Sequence, residues 1–345
     1  MSTYQNDVLY ASKEIWDMAI GLQDVDNLTV SDKVKKLAKE NAEKKCDFAT
    51  IEKFLSEQDD TYYIRDREAN VVACRIAKLL TCDNFSLSID FLKSIHKKLF
   101  KDIYDSAGEI RSYNINKEEP VLNNRTVEYA DFRKIKSLLK FDFNTEIENK
   151  NIFEKNVVRK ICSFTKNIWS THPFSEGNTR TVAVFIIKYI KSLGIDFDTS
   201  CFAEHSRYFR NALVRTSFSD YTHGFPENTK FLKKFFENMI LGNKNKLVNI
   251  DLVYFELFPY IQKYNKKFDN LYTNLIREFL SLYTSENRCE DNNTVLCIDR
   301  DHKLVITKME YVESDQTVLV KASDNFVIIR DRIPLIIENY FNNWL

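Results

Sequence analysis

Glycine and proline are scarce in this sequence, six and five residues among 345. So small a supply of turn formers argues against a loop-rich or all-β chain and for a compact helical one. No apolar run is long enough to cross a bilayer, and no basic-then-apolar leader stands at the start. A cytoplasmic setting without membrane contact is therefore expected, with export into another cell left open. The seven cysteines are odd in number, scattered and without metal-ligand spacing, which speaks against a disulfide framework or a zinc module and fits a reducing interior. His205, His223 and His302 form no cluster in the sequence, so no transition-metal site is indicated. No dense basic run is interleaved with aromatics, and nucleic acid is not an expected partner.

Net charge is also lacking: 50 Lys+Arg balance 50 Asp+Glu. The balance hides a segregation. Residues 1–60 carry 8 basic against 13 acidic side chains and residues 285–345 carry 7 against 11, so the stretch between them is basic. A basic centre fits an anionic ligand.

What the sequence does have is one uninterrupted apolar run, Val182 to Ile187, following ThrHisProPheSerGluGlyAsnThrArg at 171–180. A helix apolar all round must be surrounded by protein, so a central buried helix is expected here, closed by Gly194 after Lys188 and Lys191. Its N-terminal side carries the chemistry. Pro173 keeps His172 out of the helix and in the loop before it. Ser175 is the expected N-cap, with Gly177 and Asn178 in a first turn whose free N–H groups attract phosphate. Glu176 is a hard oxygen ligand suited to Mg²⁺ held by one carboxylate plus phosphates, and Arg180 offers a fork of donors. A base, a metal ligand, an anion nest and a cation within nine residues suggest phosphate chemistry.

HisProPheSerGluGlyAsnThrArg, residues 172–180, resembles the signature of the Fic family, His-x-Phe-x-Asp/Glu-Gly-Asn-Gly/Lys-Arg-x-x-Arg. His96 to Arg111 resembles the stretch that leads into that family's flap. The resemblance implies a mainly α fold: a Fic-type helical core with a β-hairpin flap, here joined to a small C-terminal α+β extension. It implies transfer of AMP from ATP, with Mg²⁺, to a Ser, Thr or Tyr hydroxyl of a protein, this chain itself included. His172 would take the hydroxyl proton, Glu176 would hold Mg²⁺, and Gly177, Asn178, Thr179 and Arg180 would meet the phosphates. Arg210 and Asn211, at helical spacing within 203–218, would flank the nucleotide. His96 itself reads as a structural histidine beside an apolar stripe.

The alternation and turn of residues 110–122 read as the hairpin, with Asn114, Ile115, Asn116 and Lys117 pairing with an extended target. Short helices over 8–58, capped by Ser31 and Asp47, resemble an antitoxin-like unit whose glutamate blocks the nucleotide site. The matching position is Glu43, although Lys39 and Lys44 depart from that motif. The expected division is 1–58, the N-terminal segment; 59–245, the Fic core; and 246–345, a helix and a small accessory unit. A homodimer is compatible with the family.

Two positions break the signature. Thr179 replaces Gly or Lys, which disfavours the phosphoryl-transferring branch of the family. Ala183 stands where a second arginine would serve the γ-phosphate. The rival reading is a degenerate Fic fold that binds nucleotide or a partner without turnover.

Overall fold

The structure, a computed structural model, describes residues 8–57, 64–122, 125–148, 153–220 and 227–252, together with four short strands between 294 and 328. The chain divides into two compact units, one of residues 1–219 with 226–252 and the other of 220–225 with 253–345. No helix among the described residues is long and apolar enough to cross a membrane.

The first unit is helical. Its order is α1 Lys13–Gly21, a 3-10 turn Leu22–Asp26, α2 Asp32–Ala42, α3 Phe48–Ser56, α4 Ile64–Thr81 and α5 Ile89–Phe100. Then come α6 Ile135–Glu148, α7 Phe153–Thr171, α8 Asn178–Ser192, α9 Ser200–Ser217 and α10 Lys230–Leu241. Ser31 and Asp47 cap α2 and α3 as their side chains predict, accepting from Val34 N and Thr50 N.

Every residue of α8 from Asn178 to Ile190 is buried. Phe85, Phe143 and Phe164 pack their rings on Phe185, and the Tyr189 hydroxyl donates to Glu146 at 2.6 Å. Lys188, buried in the same helix, is held by backbone carbonyls rather than by a carboxylate. Its ammonium donates to Leu79 O at 2.9 Å and to Cys82 O, closing the C-terminal end of α4, and burial pushes its pKa down to about 8.

Residues 8–57 are woven into the same core. Trp16, Met18, Ala19, Leu22, Val25 and Val34 are all buried. Asn41, wholly buried, accepts from Ala11 N and Trp16 Nε1 and donates to Leu9 O and Cys46 O, so all its bonding capacity is used. Gly21 is where α1 touches α9: a Cβ there would stand 2.3 Å from Ala203 O.

Three local expectations are corrected. The N-cap of α8 is Gly177, not Ser175, and it has no side-chain cap. The sequence places Gly108 at the end of the helix that carries His96; α5 ends at Phe100 instead, because Lys101 turns extended and Asp102 takes φ +62°. The hairpin over 110–122 does not form as a ladder: among the described residues only an isolated bridge, Glu119 with Arg125, lies there. The segment is tied to other parts of the chain instead. Arg111 N donates to Pro173 O at 2.9 Å, the Arg111 guanidinium takes Tyr113 O, Asn114 Oδ1 takes Phe132 N, and Pro120 opens a 3-10 turn.

In the second unit, strands β1 Thr294–Ile298, β2 Leu304–Lys308, β3 Lys321–Ala322 and β4 Asn325–Ile328 form an antiparallel sheet in the order β2-β1-β4-β3. The expected helices over 252–283 and 334–345 lie outside the described residues, apart from Leu252 in a 3-10 turn.

Candidate active site

The loop between α7 and α8 holds His172 and Glu176, and it is stapled from inside. Asn178 closes it: its Oδ1 accepts from Phe174 N at 2.9 Å while its Nδ2 donates to Phe174 O at 2.7 Å. Thr179 Oγ1 accepts from Trp169 Nε1 at 3.0 Å, tying α8 to the end of α7. Gly177 sits at φ +70°, and a Cβ there would lie 2.3 Å from the Phe100 ring. Only glycine meets both conditions. Three of the residues expected at the phosphates thus shape the loop; the side chains of Asn178 and Thr179 are already bonded.

His172 is 4% exposed and has φ +48°, a strained conformation for a non-glycine residue. It is held there by Arg111. That guanidinium donates from Nε to His172 O at 2.8 Å and from its terminal nitrogens to Thr171 O, Ala130 O and Tyr113 O. The imidazole lies between Tyr129, with ring centres 4.1 Å apart, and the edge of Trp169. Nδ1 is 3.1 Å from Trp169 O, a carbonyl that can only accept, so Nδ1 carries the proton. Nε2 keeps its lone pair, and no hydrogen bond among the described residues reaches it. Burial, and then the charges of Lys117, Arg111 and Arg210, hold the ring's pKa well below its ordinary value. At neutral pH the ring is an uncharged proton acceptor.

Glu176 is four residues away and exposed. Its carboxylate pairs with Lys117 Nζ at 2.8 Å, and its backbone carbonyl accepts from His96 Nε2 at 3.0 Å. His96 accepts from Gly108 N on Nδ1 and stacks on Phe174 at 3.8 Å between ring centres, so it is a fully engaged structural group. The donor set at Glu176, one exposed carboxylate beside a helix N-terminus, fits a Mg²⁺ ion that takes its remaining ligands from phosphates and water.

The arginines divide. Arg180 is 1% exposed and belongs to the core. Its Nη2 meets Glu68 Oε1 at 2.5 Å and its Nη1 donates to Gln23 Oε1 at 3.2 Å. Its Nε lies 2.8 Å from Asp26 Oδ2, with the N–H directed off the carboxylate, and its plane covers the Phe100 ring at 4.9 Å. Arg210 pairs with Glu119 at 2.7 Å, and Glu119 also accepts from the Tyr129 hydroxyl at 3.0 Å. Asn211 donates to Asn249. Of the flap residues, Asn114 caps Phe132 N, Lys117 reaches Glu176, Ile115 is half-buried and Asn116 is exposed.

Glu43 stands elsewhere. It ends α2, and its carboxylate pairs with Lys45 at the surface. The side chains that the N-terminal residues send to an arginine of α8 are Asp26 and Gln23, and Asp24 takes Arg207 at 2.8 Å. Motif spacing within 37–45 made Glu43 the match in sequence; the 3-10 turn at 22–26 makes Asp26 the neighbour in space.

The residues that sequence reasoning did not single out are Arg111, Tyr129, Glu119, Glu68 and Asp26. Arg111 closes the quoted stretch 96–111, and four carbonyl acceptors around one arginine are the signal that only the fold supplies.

Residues 86–190 match the model of the Fic/DOC family. That match covers under a third of the chain, and over it the chain resembles the Fic/DOC family. It is 27% identical over 146 residues to VbhT of Bartonella schoenbuchensis, named a protein adenylyltransferase, a match covering 39% of this chain and 30% of that protein. It is 28% identical over 129 residues to y4lH of Sinorhizobium fredii, named a probable protein adenylyltransferase, covering 37% of this chain and 64% of that protein. The chain thus spans under a third of the first relative and just under two thirds of the second. Among solved structures, the N-terminal Fic domain of Bep8 from a Bartonella species is 17% identical, with 54% of this chain and 88% of that chain covered and a TM-score of 0.41.

Both buried histidines make stability depend on pH in the same sense. Burial pushes the pKa of His96 down to about 4, against 6.5 for a free imidazole. A depressed pKa contributes stability that is full above pH 6.5 and lost as pH falls through the folded value. For His96 that is about 3 kcal/mol between pH 7.5 and 4. Urea unfolding midpoints across that range should fall faster for the wild type than for His96→Gln below pH 6.5. Parallel curves would show that the imidazole does not stay neutral in the fold.

Proposed function

We propose that this chain transfers the AMP group of ATP to a hydroxyl side chain of a protein. The observation that carries the reading is the state of His172: neutral by burial, its Nδ1–H fixed on Trp169 O, its Nε2 left with a lone pair in the loop that leads into α8. In the reaction Nε2 takes the proton from the target's Ser, Thr or Tyr hydroxyl as that oxygen bonds to the α-phosphorus. The bond from that phosphorus to the bridging oxygen breaks, and pyrophosphate leaves. Tyr129 and Trp169 keep the imidazole in plane and dry, and Arg111 keeps the loop carbonyls turned away from it. Glu176 would hold the Mg²⁺, which when bound supplies positive charge to the phosphates.

One observation favours the second reading, a nucleotide or partner binder without turnover. The two cations that the signature assigns to phosphates are missing from the cleft, since residue 183 is a buried alanine and Arg180 is enclosed by Glu68, Asp26 and Gln23.

Intact mass separates the two. The full chain, incubated with ATP and Mg²⁺ alone and with cell extract, should produce an AMP-sized gain on itself or on a target, absent with His172→Ala. No gain with any nucleoside triphosphate would leave the binder. Point substitutions are the proper variants, because deleting residues 1–58 would strip Asp26 and Gln23 from a buried arginine.

A further inference from the structure

The cations whose charge bears on His172 are Lys117, Arg111 and Arg210. They differ in how tightly they are held. Arg111 is buried and spends its guanidinium on four backbone carbonyls. Arg210 is paired with Glu119, a carboxylate 1% exposed, and a charge pair of that kind is expensive to break. Lys117 is paired with the Glu176 carboxylate, 58% exposed, and a pair so open to water is worth little. Its partner, moreover, is the carboxylate best placed to take a divalent cation. A bound cation would compete with the ammonium for that carboxylate, and the freed ammonium stands on a four-carbon stem with three donors next to the first turn of α8.

We propose that Lys117 is a phosphate-binding residue: it rests on Glu176 until nucleotide and divalent cation arrive, then gives up the carboxylate to the cation and moves to the phosphate chain. It supplies from the 110–122 segment the positive charge that α8 lacks at Ala183. The assignment rests on the nucleotide reading above. It also gives the segment a second task besides holding a target: Asn114 is fixed on Phe132 N, which sets the backbone from which Lys117 reaches across.

The test uses the full chain as wild type, Lys117→Ala, Lys117→Arg and Glu176→Gln. Binding of Mn²⁺ alone is followed by electron paramagnetic resonance, and binding of ATP with saturating Mg²⁺ by calorimetry. Lys117→Ala should bind Mn²⁺ about two- to fivefold more tightly, the competitor being gone. The same variant should bind ATP at least about tenfold more weakly, the loss expected for one charge-assisted contact. Lys117→Arg should restore most of the ATP affinity. Opposite shifts in one variant are what a merely structural lysine would not give. ATP affinity unchanged in Lys117→Ala overturns the assignment while leaving the nucleotide reading intact. A wild type that binds no ATP, with Mn²⁺ binding the same in Glu176→Gln, removes the nucleotide reading and this assignment together.

Discussion

Arg180→Met is expected to lower the stability of the chain by about 3–5 kcal/mol, the range for removing one partner of a buried charge pair. The guanidinium is 1% exposed and engages Glu68, Gln23 and Asp26 while covering Phe100. Methionine fills part of the volume but leaves Glu68, whose side chain is 12% exposed, with a desolvated charge. The Tyr104 hydroxyl, 2.6 Å from the same carboxylate oxygen, cannot neutralise it. Urea unfolding gives the number. A second variant decides the cause: Arg180→Met combined with Glu68→Leu removes both charges and should recover much of the loss, since an apolar replacement of a whole buried pair is often close to neutral. Were Arg180 instead a phosphate ligand in an open cleft, Arg180→Met would leave the unfolding curve in place and lower only ATP affinity.

His172→Ala has the largest expected effect on rate. A positioned general base contributes on the order of 10²–10⁴, and the transfer step measured under single turnover should slow by about that factor while ATP affinity changes little. The ring's surroundings add a second signature. Because burial and the Lys117 charge hold the imidazole's pKa well below 6.5, its lone pair stays available as the solution is acidified. The rate should therefore stay level from pH 8 down past 6.5, where an ordinary histidine base would already have lost half its activity. A fall centred near 6.5 would place the imidazole in water rather than between Tyr129 and Trp169. Far-ultraviolet circular dichroism of His172→Ala checks that the loop's remaining bonds, Arg111 to Thr171 O and Asn178 to Phe174, keep the fold.

The helical framework and the loop that carries the candidate site were legible in the sequence because their signals are local. Val182 to Ile187 announced a buried helix, Ser31 and Asp47 announced two starts, and the spacing from His172 to Asn178 announced the loop before α8. What could not be read depends on residues far apart in sequence. Arg180 meets Glu68 across 112 residues and Gln23 across 157, and no periodicity connects them, so an arginine of the signature looked like a phosphate ligand. The segment 110–122 failed for a different reason. Its alternation and its turn residues suit a hairpin, but Arg111 takes up Tyr113 O, and both Arg111 and Asn114 bind the backbone of the 130–132 stretch instead of leaving the segment to pair with itself. Polar side chains aimed at backbone do not show in a hydrophobicity pattern. Glu43 had the right spacing within a degraded motif and the wrong direction in space.

The tie between the 22–26 turn and α8 and α9 also bears on how the chain is made. Asp24 and its partner Arg207 are 183 residues apart, and Gly21 touches Ala203. The segment 13–26 is thus synthesised long before the surface that covers it, and closing so long a loop is entropically costly and slow. Until α9 emerges, Met18, Ala19 and Leu22 have no complete burial site on the ribosome. A message truncated ahead of residue 200 would release a product with that apolar face bare, prone to aggregate or to be degraded, whatever the integrity of its His172 loop.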